Sequence, residues 1–206
     1  MSHPPDPSSE SARAVAASSD ATGASVRSIG AVLWDYLLLA KPEISSVVTL
    51  SAFAGFLLGS PTGIDGWTLL WTMIGVALCA GGVGVLNHLF ERQYDAQMKR
   101  TATRPLPDGR VSPTEARRLG IGMVCAAVGL LCPLVNVLTA VIAALTAGLY
   151  LFVYTPLKRK TKWNTLIGTV PGALPALGGY TAATGQIGAG GWAVFGILAC
   201  WQMPHF

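Results

Sequence analysis

Charge is scarce in this sequence. Only 12% of its 206 residues are Asp, Glu, Lys or Arg, about half the share usual in soluble domains, while 51% are hydrophobic and the mean hydropathy is +0.51. That composition excludes a solvated globular domain and makes the chain a membrane protein. Cysteine is sparse as well. Cys79, Cys125, Cys132 and Cys200 lie inside apolar runs and form no C-x-x-C pair, so metal and disulfide frameworks lack the spacing they need. Plain buried thiols are expected, since free cysteine behaves as a small hydrophobe. Short internal repeats and a separate soluble domain are also lacking. The net charge of +4 would suit nucleic acid, but the basic residues are distributed for membrane topology, and no nucleic-acid partner is expected. Residues 1–28 have neither the apolar core of a secretory signal nor the acid-poor, Arg-rich make-up of a transit peptide, given Asp6, Glu10 and Asp20. They read as a disordered cytoplasmic tail.

What is present is a series of apolar stretches, at about 43–60, 67–87, 114–132, 134–154, 166–184 and from 191 onward. Each approaches the ~20 residues that cross a hydrocarbon layer of ~30 Å. Their connections alternate. The segments 61–66, 132–136 and 184–191 carry no Lys or Arg, whereas the tail, the 92–118 region and the 158–162 loop hold all fourteen basic residues, Lys41 counted with the tail. By the positive-inside rule the N-terminus and both basic loops face the cytoplasm. The expected fold is all-α, a polytopic membrane helix bundle over residues 29–206 in contact with lipid.

Local signals fit these boundaries. Ser112-Pro113-Thr114-Glu115 joins an N-cap, a first-turn proline and a capping-box glutamate, so a helix starts there. Gly55 with Gly59, Ala80-Gly81-Gly82 with Gly84, and Gly168 with Gly172 suit close helix approach. Pro171 and Pro175 should kink the fifth stretch, whose freed carbonyls then require protein or a cavity beside them. The six tryptophans fall mainly near span ends, as an interfacial belt would place them.

At the end of the second stretch, Asn87, Glu91 and Asp95 are spaced i, i+4, i+8. Each step rotates only ~40°, so the three share one helix face over a rise of ~12 Å. Such oxygen ligands suit a hard cation such as Mg²⁺, which takes a few carboxylates together with substrate phosphate oxygens. The plainer alternative is that Glu91 and Asp95 end a helix and pair with Arg92 and Lys99. Lys99, Arg100, Arg104 and the YTPLKRK cluster at 154–160 lie on the same side of the membrane. Metal-binding carboxylates ringed by cations describe a site for a polyanion such as diphosphate, with an apolar tail between the helices.

The blocks N-x-x-x-E-x-x-x-D-x-x-M-x-R-T-x-x-R-P-L at 87–106, GRVSP at 109–113, YTPLKRKTKWNT at 154–165, VPGALPALGG at 170–179 and WQMPHF at 201–206 resemble the UbiA-type intramembrane prenyltransferase superfamily, most closely its haem-farnesylating branch. Glu91 stands where many members have Asp, which keeps the charge and lengthens the reach by one methylene. The resemblance implies about nine helices and a second acidic motif, so the chain reads as an incomplete N-terminal part with about six spans, inactive by itself. It implies transfer of a farnesyl group from farnesyl diphosphate to a vinyl group of heme b, giving heme O, in a bacterial inner membrane. Asn87, Glu91 and Asp95 would hold Mg²⁺, and Arg100, Arg104, Tyr154 and Lys158 would bind the departing diphosphate. A complex with haem-modifying or oxidase-assembly proteins is a further implied partner. Alternatives are an aromatic or chlorin acceptor, or a non-catalytic transporter or haem-binding protein. His205 is either an axial haem ligand or a hydrogen-bonded core residue. His88 neighbours the acidic face without sharing it and reads as structural.

Overall fold

A computed structural model describes residues 27–205, with side chains as far as Met203. The tail reading and the His205 side chain therefore lie outside the described part, apart from Arg27 and Ser28 and the backbone of His205. Contacts divide the chain into two compact units, 1–33 and 34–206. The described part of the first is the start of helix α1; the rest of the chain belongs to the second.

The helices are α1 (Ile29–Leu39), α2 (Pro42–Leu58), α3 (Gly66–Asp95), α4 (Pro113–Leu134), α5 (Val137–Gly148), α6 (Thr155–Leu157), α7 (Asn164–Thr184) and α8 (Ala189–His205), with a π-helical segment, Leu149–Tyr154, joining α5 to α6. No strand occurs among the described residues. The expected start signals are used. Asp65 caps α3, accepting from the Trp67 amide at 3.1 Å, and the bonds from Thr68 and Trp67 hold its carboxyl below the ordinary range. Ser112 and Glu115 form the reciprocal capping box of α4, at 3.1 and 2.9 Å. Asn136 caps α5 through Thr139 and also donates to the Thr181 carbonyl of α7 at 3.0 Å.

All six expected stretches are helical. By length and composition three can cross a membrane: α3, α4 and the α5 to α6 run, Val137–Leu157. A fourth is the α1–α2 pair, bent by 53°, if it counts as one span. Helix α7 has 21 residues but is diluted by Gly, Pro and Thr, and most of them, including Pro171 and Pro175, are buried. Helix α8 is apolar but shorter. The burial of α7 matches the expectation that its prolines lie against protein.

Close packing on α7 requires the absence of side chains. A Cβ on Gly179 would stand 1.8 Å from the Ala52 carbonyl oxygen, and one on Gly55 would stand 1.9 Å from that of Ala176, so α2 and α7 touch backbone to backbone. Large apolar side chains such as Leu50, Phe152 and Trp163 point outward, as they do where hydrocarbon is the solvent. The buried-thiol expectation holds for Cys79 alone; Cys125, Cys132 and Cys200 are exposed. In a lipid-facing bundle an apolar run does not distinguish inside from outside, which is why the sequence misplaces them.

Candidate functional site

The acidic end of α3 is held by a cluster of Leu39, Val85, Leu86, Leu89, Leu106, Val111, Ala116 and Leu151. These residues come from α1, α3, the following loop, α4 and the π segment, so packing converges several elements on one place. Above it, Asn87, Glu91 and Asp95 are all buried, at 1%, 8% and 3% exposure. Asn87 Nδ2 donates to Glu91 Oε2 at 2.8 Å, which leaves its carbonyl oxygen facing Thr155 Oγ1 at 3.1 Å.

The loop after α3 explains its own motif. Thr101 donates to the Asp95 backbone carbonyl at 2.8 Å, Arg104 pairs with Asp95 Oδ2 at 2.9 Å, and Leu106 is the apolar anchor. Arg110 then ties the loop down, donating to Asp35 at 2.6 Å and to the Thr103 carbonyl at 2.6 Å. Gly109, just before it, has φ 75°, the left-handed turn that glycine tolerates best.

The second basic cluster arrives through the π segment. Pro156 lacks an N–H and crowds the carbonyl four residues back, so the α-helical ladder cannot continue there. The Thr155 amide instead bonds to the Tyr150 carbonyl, a five-residue step. The widened turn brings Thr155 to Asn87 and Lys158 to Glu91, and Arg159 Nη2 reaches Glu91 Oε1 at 3.3 Å. Arg159 also stacks on Tyr94, 3.4 Å from the ring centre. Tyr154 lies against Gly168 of α7, where a Cβ would come within 2.8 Å of its ring.

Most of the expected set is thus assembled: Asn87, Glu91, Asp95, Arg104, Tyr154 and Lys158. Arg100 is exposed and makes no hydrogen bond or ion pair among the described residues. Of the expected helix-end partners Arg92 and Lys99, neither pairs with the acids; their cations come from Arg104, Lys158 and Arg159.

Three participants escaped the sequence reading. Arg159 counted only as part of a cluster. Lys41 counted as a tail charge, yet it sits at the α1–α2 break within electrostatic reach of Glu91, Arg104, Lys158 and Asp95. His88 read as structural, but it precedes Glu91 by three residues and Asp95 by seven, which carries it to their side of α3. It interacts with Lys41, Arg104 and Glu91. The i+3 and i+7 spacing was the available signal.

Buried ion pairs add little to stability after the cost of taking charges out of water. Two carboxylates among four cations therefore indicate a binding site for anions better than they indicate a scaffold. Asn87, Glu91 and Asp95 offer amide and carboxylate oxygens, the donor chemistry magnesium prefers, with the His88 imidazole on the same side of α3. No group of three or more His, Cys, Asp or Glu able to hold a metal occurs among the described residues, so amide and substrate oxygens would have to complete a shell.

Comparison with known proteins supplies the family. Protoheme IX farnesyltransferase of Salinibacter ruber is 83% identical over 175 residues, covering 85% of this chain and 62% of that protein. Its namesakes in Solibacter usitatus and Anaeromyxobacter dehalogenans are 41% and 42% identical, over 84% and 85% of this chain and 62% and 59% of theirs. The chain therefore spans about three fifths of the length of the curated relatives it matches. A solved structure of digeranylgeranylglyceryl phosphate synthase in membranes shares the fold, with a TM-score of 0.69 at 23% identity over 84% of this chain and 58% of that one. A profile of the UbiA prenyltransferase family matches residues 48–206, which contain every residue of the site except Lys41 and Asp35. With its acidic helix end, its cation-bearing loops and its bundle in place, the chain belongs to the UbiA prenyltransferase family.

Proposed function

We propose that the whole protein transfers a farnesyl group from farnesyl diphosphate to a vinyl group of heme b, in a bacterial inner membrane with the N-terminus and the basic loops on the cytoplasmic side. The observation that carries this reading is the buried Asn87–Glu91–Asp95 face with Arg104, Lys158 and Arg159 drawn onto it from two other elements. The naming of the relatives supports the choice of haem as acceptor.

Asn87, Glu91 and Asp95 would hold magnesium, which when bound supplies positive charge against the diphosphate. Arg104, Lys158 and Arg159 are the residues that stabilise the diphosphate as its bond to the allylic carbon breaks, by charge-assisted hydrogen bonds to its oxygens. The Tyr154 ring, with the Tyr150 ring 5.1 Å away, offers an apolar wall that keeps water from the allylic cation. The cation adds to the terminal vinyl carbon, water supplies the hydroxyl at the carbon beside the ring, and diphosphate and a proton leave. Extracted haems provide the test. Cells without a farnesylated haem of their own, expressing the complete coding frame, should gain one heavier than heme b by a farnesyl group and a hydroxyl. If the haem mass stays that of heme b while the protein accumulates in the membrane, this acceptor is wrong.

A further inference from the structure

Lys41 and His88 are the two polar side chains of the site to which the proposed reaction gives no work. Lys41 is the only non-glycine residue among the described ones with positive φ, 50° with ψ 65°. Such a conformation persists only where the surroundings impose it, and it collects at functional sites. Here the imposing contact is visible: a Cβ on Gly84 would stand 3.0 Å from the Ala40 carbonyl oxygen, so the α1–α2 break presses on α3 one turn before His88. His88 is 4% exposed, and among the described residues neither Nδ1 nor Nε2 has a hydrogen-bond partner. Among the described residues no ion pair reaches the Lys41 ammonium.

An imidazole buried without a partner is costly, and so is a half-buried ammonium with no direct ion pair. Both costs fall if one oxyanion lies between them. The other cations of the site already rest on Glu91 and Asp95. We infer that Lys41 and His88 form a second oxyanion subsite on the α1–α2 side of the acidic face, receiving a phosphate oxygen of the prenyl donor or a carboxylate of the acceptor. This rests on the prenyl-transfer reading above.

The test is equilibrium binding to the 206-residue chain in detergent micelles. Inorganic diphosphate with magnesium chloride is titrated by calorimetry, and protoporphyrin IX and its dimethyl ester by tryptophan quenching. Lys41→Met and His88→Phe should each weaken at least one oxyanion ligand by about tenfold or more, the loss of a charge-assisted hydrogen bond, while Lys41→Arg recovers most of it. Weakening toward diphosphate assigns the subsite to the donor; weakening toward protoporphyrin but not its dimethyl ester assigns it to an acceptor carboxylate. Either upholds the inference, and each position is read independently, so a folding defect in one variant leaves the other decisive. If the unmodified chain binds and both variants bind as tightly, the subsite is overturned and the prenyl-transfer reading stands. Equal weakening toward the acid and its ester marks lost packing and also overturns it. If the unmodified chain binds neither diphosphate nor porphyrin, the inference fails, while the prenyl-transfer reading is decided separately by the haem mass in cells expressing the complete coding frame.

Discussion

Asp95 carries two separable jobs. Its backbone carbonyl receives Thr101, which shapes the loop, while its carboxylate faces Arg104. Asp95→Asn keeps the shape and removes the charge, so folding and membrane insertion should survive. Turnover of the whole protein should fall on the order of a hundredfold or more, the scale seen when one preorganised electrostatic group is lost. Assays of prenyl transfer at matched expression check this, and turnover equal to that of the unmodified protein would reduce Asp95 to a helix-end residue. The acidic face was legible because helical spacing alone aligns residues four apart. Lys41 and Arg159 were not, because their places depend on a chain break and a widened turn that no spacing rule reports. Arg100 stands apart from the ion pairs: the loop turns Arg104 inward onto Asp95 and leaves Arg100 exposed.

Among the helices, stability depends on where backbone meets backbone. Gly179→Ala would place a methyl group 1.8 Å from the Ala52 carbonyl oxygen, and neither α2 nor α7 can give way by moving a side chain. The expected cost is at least about 3 kcal/mol, the upper range for overpacking. Gly129→Ala, on α4 with nothing within 4 Å, should change stability little or raise it, since alanine is the better helix former. Unfolding of the chain in mixed micelles on titration with dodecyl sulfate compares the two, and equal midpoints would mean that α2 and α7 do not meet at these glycines. Caps, loop charges and small-residue pairs were readable because each is a local signal. The π segment was not, since it arises from Pro156 acting back on a run, LYLFVY, that reads simply as apolar. The Gly, Pro and Thr content of α7 was readable, but not which helices would bury it.

Taken over the whole site, four cations, Lys41, Arg104, Lys158 and Arg159, face two carboxylates, so the pocket carries an excess of positive charge before any ligand arrives. On the proposed function, two ligands of opposite sign would then exchange partners with the protein. A magnesium ion held by Glu91 and Asp95 would compete with Arg104, Lys158 and Arg159 for those oxygens, and displaced cations without anions are costly. A diphosphate approaching the same cations strips the carboxylates of theirs. Each ligand alone breaks ion pairs that the other would replace, so their binding should be cooperative, and linkage requires the factor to be the same from either side. In calorimetry on the chain, magnesium chloride alone should bind weakly, and saturating inorganic diphosphate should tighten it by roughly tenfold or more, the usual range of such coupling. Removing magnesium with a chelator should weaken diphosphate by that same factor, after correction for the complex the two form in solution. Magnesium binding that is equally tight with and without diphosphate would mean that Arg104, Lys158 and Arg159 do not need to leave the carboxylates, and that the metal lies elsewhere than on Asn87, Glu91 and Asp95.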